Sequence, residues 1–304
     1  MSESTETLNP FAPSRVELRK EGRAKLAHWV TLSMAVGLVL PMLWIISLIF
    51  IKGWPAISVE FLWDSPRAGG AEGGIWGPLI GTFYLTLVCL AIVAPIGILA
   101  GIYINEYAPD NKVTRAIMIA VTSLAGVPSI VHALFGLGAF VVAMGLGKSM
   151  IAAAMTLAVM TLPLIITSTR EALAAVPKNF REACWNLGAT KWQTIRTIVI
   201  PNSISGILTG VILVVARAAG ETAPIMLTGA VGWKSIADFP RFAPYLLNDD
   251  FMAMAMHLNT ISRDVPNMPE SMKFGSALVL LVMILIINSF AVALRMYLRK
   301  RKKW

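Results

Sequence analysis

Two ionisable residues four positions apart, Arg217 and Glu221, stand in an otherwise apolar stretch that follows Pro201. On a helix, residues at that spacing share one face, so the guanidinium and the carboxylate can pair. A charge inside a membrane span costs about 2.5–3.5 kcal/mol on insertion scales, so such residues face a bundle interior or line a pathway. The plainer alternative is an ion pair that only locks two helices. Hydroxyls stand nearby at Thr222 and, in an earlier apolar run, at Ser129. Both residue types also cap and pack helices in membranes.

Other chemistries fail on spacing. Gly147-Lys148-Ser149 looks like the end of a phosphate-cradling glycine loop, but that loop needs glycine at position 142, where Val142 stands, and apolar runs flank it. His28, His132 and His257 are too scattered for a metal site, and His132, inside an apolar run, reads as a packed histidine. Cys89 in an apolar run and Cys184 in a basic loop read as two unpaired thiols. An intramembrane enzyme built on Glu221 or His132 is the third alternative, and it lacks a paired nucleophile and base.

The elements that hold these residues must be membrane helices. Of 304 residues, 56% are hydrophobic and 14% charged, whereas a soluble domain carries about 25% charged residues. Six stretches are long enough to cross a bilayer, which takes about 20 apolar residues at 1.5 Å each. They are 29–51, a span within 73–105, another within 116–147, 149–169, the run opened by Pro201, and 274–294. The expected fold is therefore all-α, a polytopic six-helix membrane bundle. A polar N-terminus without a basic region or cleavage site predicts that the first span is retained.

Lysines and arginines set the expected orientation. With the N-terminus inside, 18 lie in inner segments and 7 in outer ones, which places both termini in the cytoplasm. The net charge of +9 follows from these loops and the basic tail 298–304, not from a nucleic-acid face. The layout is a tail 1–28, a membrane domain 29–297 and that C-terminal tail. Within the domain, an inner loop covers 170–200 and a long outer loop covers 225–273. The outer segments 52–72 and 225–273, rich in tryptophan, glycine and proline, are too long for simple turns.

The inner loop carries the most specific pattern. Arg181-Glu182-Ala183-Cys184 leads through Leu187 to Gly188, and nine residues later comes Ile198-Val199-Ile200-Pro201. This spacing predicts a short helix, a glycine stop, and a second amphipathic run ending at a proline that opens the next span. Small side chains at 183 and 184 allow another protein to approach closely, and Glu182 beside Arg181 offers a charged contact.

Glu182, Ala183, Gly188, Ile198 and Pro201 fall on the coupling motif of ABC importer permeases, which this loop resembles; Cys184 stands where that motif usually has alanine. The string Ala216-Arg217-Ala218-Ala219-Gly220-Glu221-Thr222-Ala223-Pro224 is similar to the fifth span of the PstA-type phosphate-importer permeases. Further matches are Pro128-Ser129-Ile130-Val131 with Leu134-Phe135, where Ala133 replaces a common glycine, and Gly101-Ile102-Tyr103 with Glu106-Tyr107. The resemblance implies a type I importer permease in the inner membrane. Its loop, including Arg181, Glu182, Ala183, Cys184, Gly188 and Pro201, would dock on a cytoplasmic ATPase. It implies a second homologous permease (PstC-like), an ATPase dimer (PstB-like) that binds ATP and Mg, and an external phosphate-binding protein (PstS-like). No cofactor is expected in this chain. Arg217 would meet phosphate with a planar donor fork, Glu221 would keep that grip weak, and Thr222 and Ser129 would add hydroxyls. A permease for another oxyanion, molybdate or phosphonate, is the second alternative.

Overall fold

The computed structural model describes residues 15–70, 72–236 and 240–300. The first fourteen residues of the expected tail and the last four of the basic C-terminus lie outside them. The chain divides after Ile51 into two compact units. In the first, helix α1 (Arg15–Gly53) begins ahead of the apolar stretch and passes through Pro41.

The second unit is a helical bundle. Its spans are α3 (Trp76–Ile102), α6 (Met150–Ala174), α9 (Ile200–Gly220) and α12 (Glu270–Lys300). With α1, five helices are long and apolar enough to cross a membrane. The sixth crossing departs from expectation. In place of one helix within 116–147, α4 (Lys112–Ala125) and α5 (Ser129–Gly136, continued by a π-helical segment Leu137–Ala143) meet at 102°. Pro128 explains the break, because its ring disfavours helical geometry at Val127 and it has no N–H to donate.

Span α9 also differs. Pro201 does not open it: the helical run is continuous from Lys191 to Gly220. It starts at α8 (Lys191–Thr194), where Thr190 and Gln193 form a reciprocal capping box. It then passes a π-turn at Ile195–Val199 before Pro201. Proline within the first turn after that bulge removes a donor that the widened turn leaves without an i−4 partner.

Span α6 is the centre of the bundle, gripped on two sides by glycines. A Cβ on Gly97 of α3 would lie 1.6 Å from Ile165 Cγ2, and one on Gly210 of α9 would lie 1.9 Å from Ser168 Oγ. Small residues let backbones approach where lipid supplies no hydrophobic drive for association. The buried stripe of α9, Ser203, Ile207, Gly210, Val214 and Ala218, repeats every three or four residues, as a single helix face should. Hydroxyls in these spans bond back to their own helices, as Thr161 Oγ1 does to the Leu157 carbonyl at 2.8 Å.

At the end of the bundle reached by Gly220, the segments 52–75 and 225–273 fold into a cap. It contains α2 (Val59–Trp63), the antiparallel pair β1 (Pro66–Arg67) and β2 (Glu72–Gly73), α10 (Ala223–Thr228), the parallel pair β3 (Ala230–Val231) and β4 (Phe251–Met252), and α11 (Met254–Arg263). Trp63 stacks on Trp76 at 4.6 Å, and the Arg241 guanidinium lies 5.3 Å from the Trp63 ring while donating to the Trp63 carbonyl. The cap shares the core of the spans: Ile225, Phe251 and Met252 cluster with Leu85, Cys89 and Leu157. Thr82 Oγ1 of α3 accepts from the Met254 N–H at 2.8 Å.

His257 of α11 is buried in this cap, and burial pushes its pKa down to about 4, a contact with the Gly232 backbone opposing. The folded cap therefore holds a neutral ring. As pH falls below the ordinary value of 6.5, the unfolded chain takes up the proton first, so stability is lost progressively toward pH 4. The loss should be on the order of 2 kcal/mol by pH 5. Thermal melts in detergent at pH 7.5 and 5 should show a drop that shrinks in His257→Leu. An equal drop in both chains would show that other groups carry it.

Candidate functional site

Two clusters, one at each end of α9, gather the residues singled out by sequence. At the cap end, Arg217 Nε donates to Glu221 Oε1 at 3.2 Å. The pairing expected from i,i+4 spacing is present, but the helix does not carry both partners. It stops at Gly220, and Glu221 adopts an extended backbone at φ −78°, ψ 134°. Thr222 then precedes α10 as its N-cap, and the second residue of that helix is Pro224. Pro224 could not continue α9, because it has no N–H to give to the Gly220 carbonyl and its ring would clash with that carbonyl, but it fits the first turn of α10.

The pair is not enclosed by this chain. The Arg217 side chain is 40% exposed and that of Glu221 22%. Ala218 and Ala219, on the other side of the helix, are buried. The half-buried Ser129 heads α5, which packs against α10. His132 is one turn further, buried, with Nδ1 3.4 Å from the Pro128 carbonyl and Nε2 without a hydrogen-bond partner.

At the opposite end, α7 (Lys178–Asn186) forms the predicted short helix of the inner loop. Gly188 ends it in the left-handed region at φ +79°, its N–H bonded to the Trp185 carbonyl at 2.9 Å. Glu182 and Ala183 are exposed and Cys184 is half-buried; beyond the loop, Ile198 is half-buried and Pro201 exposed. Leu187 is 88% exposed, and Phe180, Trp185 and Trp192 are exposed as well. Such an apolar patch among basic side chains has the character of a docking surface. Nothing lies within 4 Å of a Cβ on Gly188. A substitution there acts through backbone strain alone, about 1–2 kcal/mol for an L-residue. Gly188→Leu should insert into membranes normally and lose docking or coupling, read as ATPase co-purified with the chain and as stimulation of its hydrolysis. Normal transport with unaltered ATPase stimulation would refute the docking assignment.

Arg181 is placed differently from its neighbours. Grouped by sequence with the outer contacts of the loop, it turns inward instead. Its Nη2 donates to Glu106 Oε1 at 2.8 Å and to the Leu173 carbonyl at 2.9 Å, and its Nη1 donates to the Val176 carbonyl at 2.6 Å. Glu106, in the π-turn Tyr103–Tyr107 that ends α3, was visible only as part of a motif. Its partner stands 75 residues away, and no local spacing connects them. Both charges are nearly enclosed, with side chains 11% and 6% exposed.

Residues 94–304 match the family described as binding-protein-dependent transport system inner membrane component. The phosphate transport system permease protein PstA of Mycobacterium leprae is 34% identical, over 88% of this chain and 87% of that protein. The probable ABC transporter permease protein YqgI of Bacillus subtilis is 32% identical over 80% and 84%. A chain of a bacterial alginate ABC transporter superposes with a TM-score of 0.64, covering 90% of this chain and 94% of that one. At 13% identity it supports the fold alone.

Proposed function

Because the chain belongs to the family of inner membrane components of binding-protein-dependent transport systems, we propose that it is a permease subunit of an ATP-driven phosphate importer, forming half of the translocation pathway with a second permease. One observation carries the substrate route. An arginine in the last turn of a membrane span and the glutamate just beyond it leave part of their charge open on this chain's own surface. Lipid against that surface would be costly, so a partner permease or a water-filled route covers it. A guanidinium fork suits an oxyanion, and the carboxylate beside it keeps the grip weak enough for release. Thr222 follows Glu221 directly and Ser129 heads α5, which packs against α10, so both are candidates to offer hydroxyls. The names of the PstA relatives support phosphate as the cargo.

In this reading the Gly188 loop is cytoplasmic and docks on an ATPase dimer that binds ATP and Mg, and the cap meets an external phosphate-binding protein. Both termini are cytoplasmic. Purified complex in liposomes should hydrolyse ATP and take up phosphate when loaded binding protein is added. Uptake of molybdate or phosphonate in its place would reassign the cargo. Orientation has its own test. In a Cys184→Ala chain, an impermeant thiol reagent applied outside should label Asn248→Cys and spare Asn179→Cys, both exposed positions. The reverse pattern would invert the topology.

A further inference from the structure

Among the described residues of α7, Arg181 is the one buried residue. The rest of the helix lies open, and a cavity of about 430 Å³ separates it from Asn105, Ala174 and Lys191. Within α7, the side chain that reaches the spans from a buried position is therefore one guanidinium. That guanidinium reaches three structural parts at once: the π-turn closing α3, the last turn of α6, and the exit turn at Val176. Leu173 lies in the last turn of α6 and Val176 just beyond its end, where a cation is favoured by the helix dipole. Glu106 is held in turn, since Asn105 Nδ2 donates to its Oε1 at 2.7 Å. Under the pair, Ile102, Leu173, Val176, Ile195 and Val199 form a separate apolar cluster that joins α3, α6 and the start of the α9 run.

We infer that Glu106 and Arg181 form a clamp that makes the docking loop move as one body with α3 and α6, so that Glu106, outside the loop, is a positioning residue for coupling ATP hydrolysis to transport. The inference rests on the permease reading above. A loop pushed by a partner transmits displacement through its chain ends and its side-chain anchors, and here the anchor is a fork-shaped ion pair, Arg181 Nη2 to Glu106 Oε1 at 2.8 Å and Nε to Oε2 at 3.4 Å. Cutting it frees α7 to rock into the adjoining cavity while its exposed docking face stays intact. The ATPase still binds and turns over, and the spans no longer follow.

The test uses the complete complex, with its ATPase and binding protein, in liposomes. Phosphate moved per ATP hydrolysed should fall at least about fivefold in Glu106→Gln and in Arg181→Lys, which keeps the charge but loses the fork. Co-purified ATPase should stay at the wild-type level. A merely structural role would lower transport and hydrolysis together. An unchanged ratio in either assembled variant overturns the clamp, as does failure of both variants to assemble. A wild-type complex whose hydrolysis responds to binding protein but which moves no phosphate would refute the cargo alone. The clamp is then judged by loss of that response in Glu106→Gln.

Discussion

Phosphate uptake by a complex carrying Arg217→Ala should fall at least about tenfold, with assembled complex at the normal level, because on the proposed route phosphate would lose a guanidinium fork near the cap end of α9. The side chain is too exposed in the chain alone to serve as a buried structural lock. Its removal should therefore cost the bundle little. Arg217→Lys keeps the charge and gives up the fork, so partial activity is the upper limit. Glu221→Gln should act in the other sense. It leaves the guanidinium without its partner at 3.2 Å, so phosphate is held longer and uptake saturates at lower concentration and lower rate. The measurement is initial uptake against phosphate concentration for all three chains. Wild-type uptake by Arg217→Ala would reduce the pair to packing.

The largest stability effect should come from a single methyl group. A Cβ on Gly81 of α3 would lie 1.9 Å from the Met252 carbonyl oxygen, a backbone atom with no rotamer to yield. Strand β4 cannot slide aside, because Phe251 N–H is bonded to the Gly229 carbonyl and Met254 N–H to Thr82. Gly81→Ala should therefore lift the cap off the spans, costing about 1–3 kcal/mol or more. The signal is a lower melting midpoint of tryptophan fluorescence in detergent, to which Trp63 of the cap and Trp76 at the head of α3, stacked on it, contribute. Gly138→Ala is the control, since nothing lies within 4 Å of a Cβ there. Equal midpoints for the two variants would show that the cap is not seated through Gly81.

Hydropathy made the spans legible because burial in lipid is a property of composition, which a window of sequence carries. It could not register the bend between α4 and α5, because both arms are apolar and a sum over residues has no direction. The local signal was there in Gly126 and Pro128. Pro201 misled for a related reason. Proline marks a helix start only where its missing donor is otherwise unused, and a π-turn creates that condition inside a helix as well. Arg217 and Glu221 were legible as a pair because four residues of helix bring them together. The stop at Gly220 escaped notice because Pro224 acts from beyond it. Arg181 was legible as part of a motif and not as an anchor, since its partners come from α3 and α6.

The broken crossing bears on how the chain survives in the cell. None of the residues of α4 is buried within this chain, and Ile130, Val131, Leu134 and Phe135 of α5 are exposed. Between the arms, the backbone from Gly126 to Pro128 leaves the helical ladder, and a bent pair that enters a bilayer carries such a break to a depth without water. Irregular backbone at that depth is tolerated only under a protein or water cover. A newly made chain waiting for its companion thus displays an unfinished surface that membrane quality control can recognise. If a second permease covers that surface, a copy made in excess of it keeps the surface open and should turn over faster.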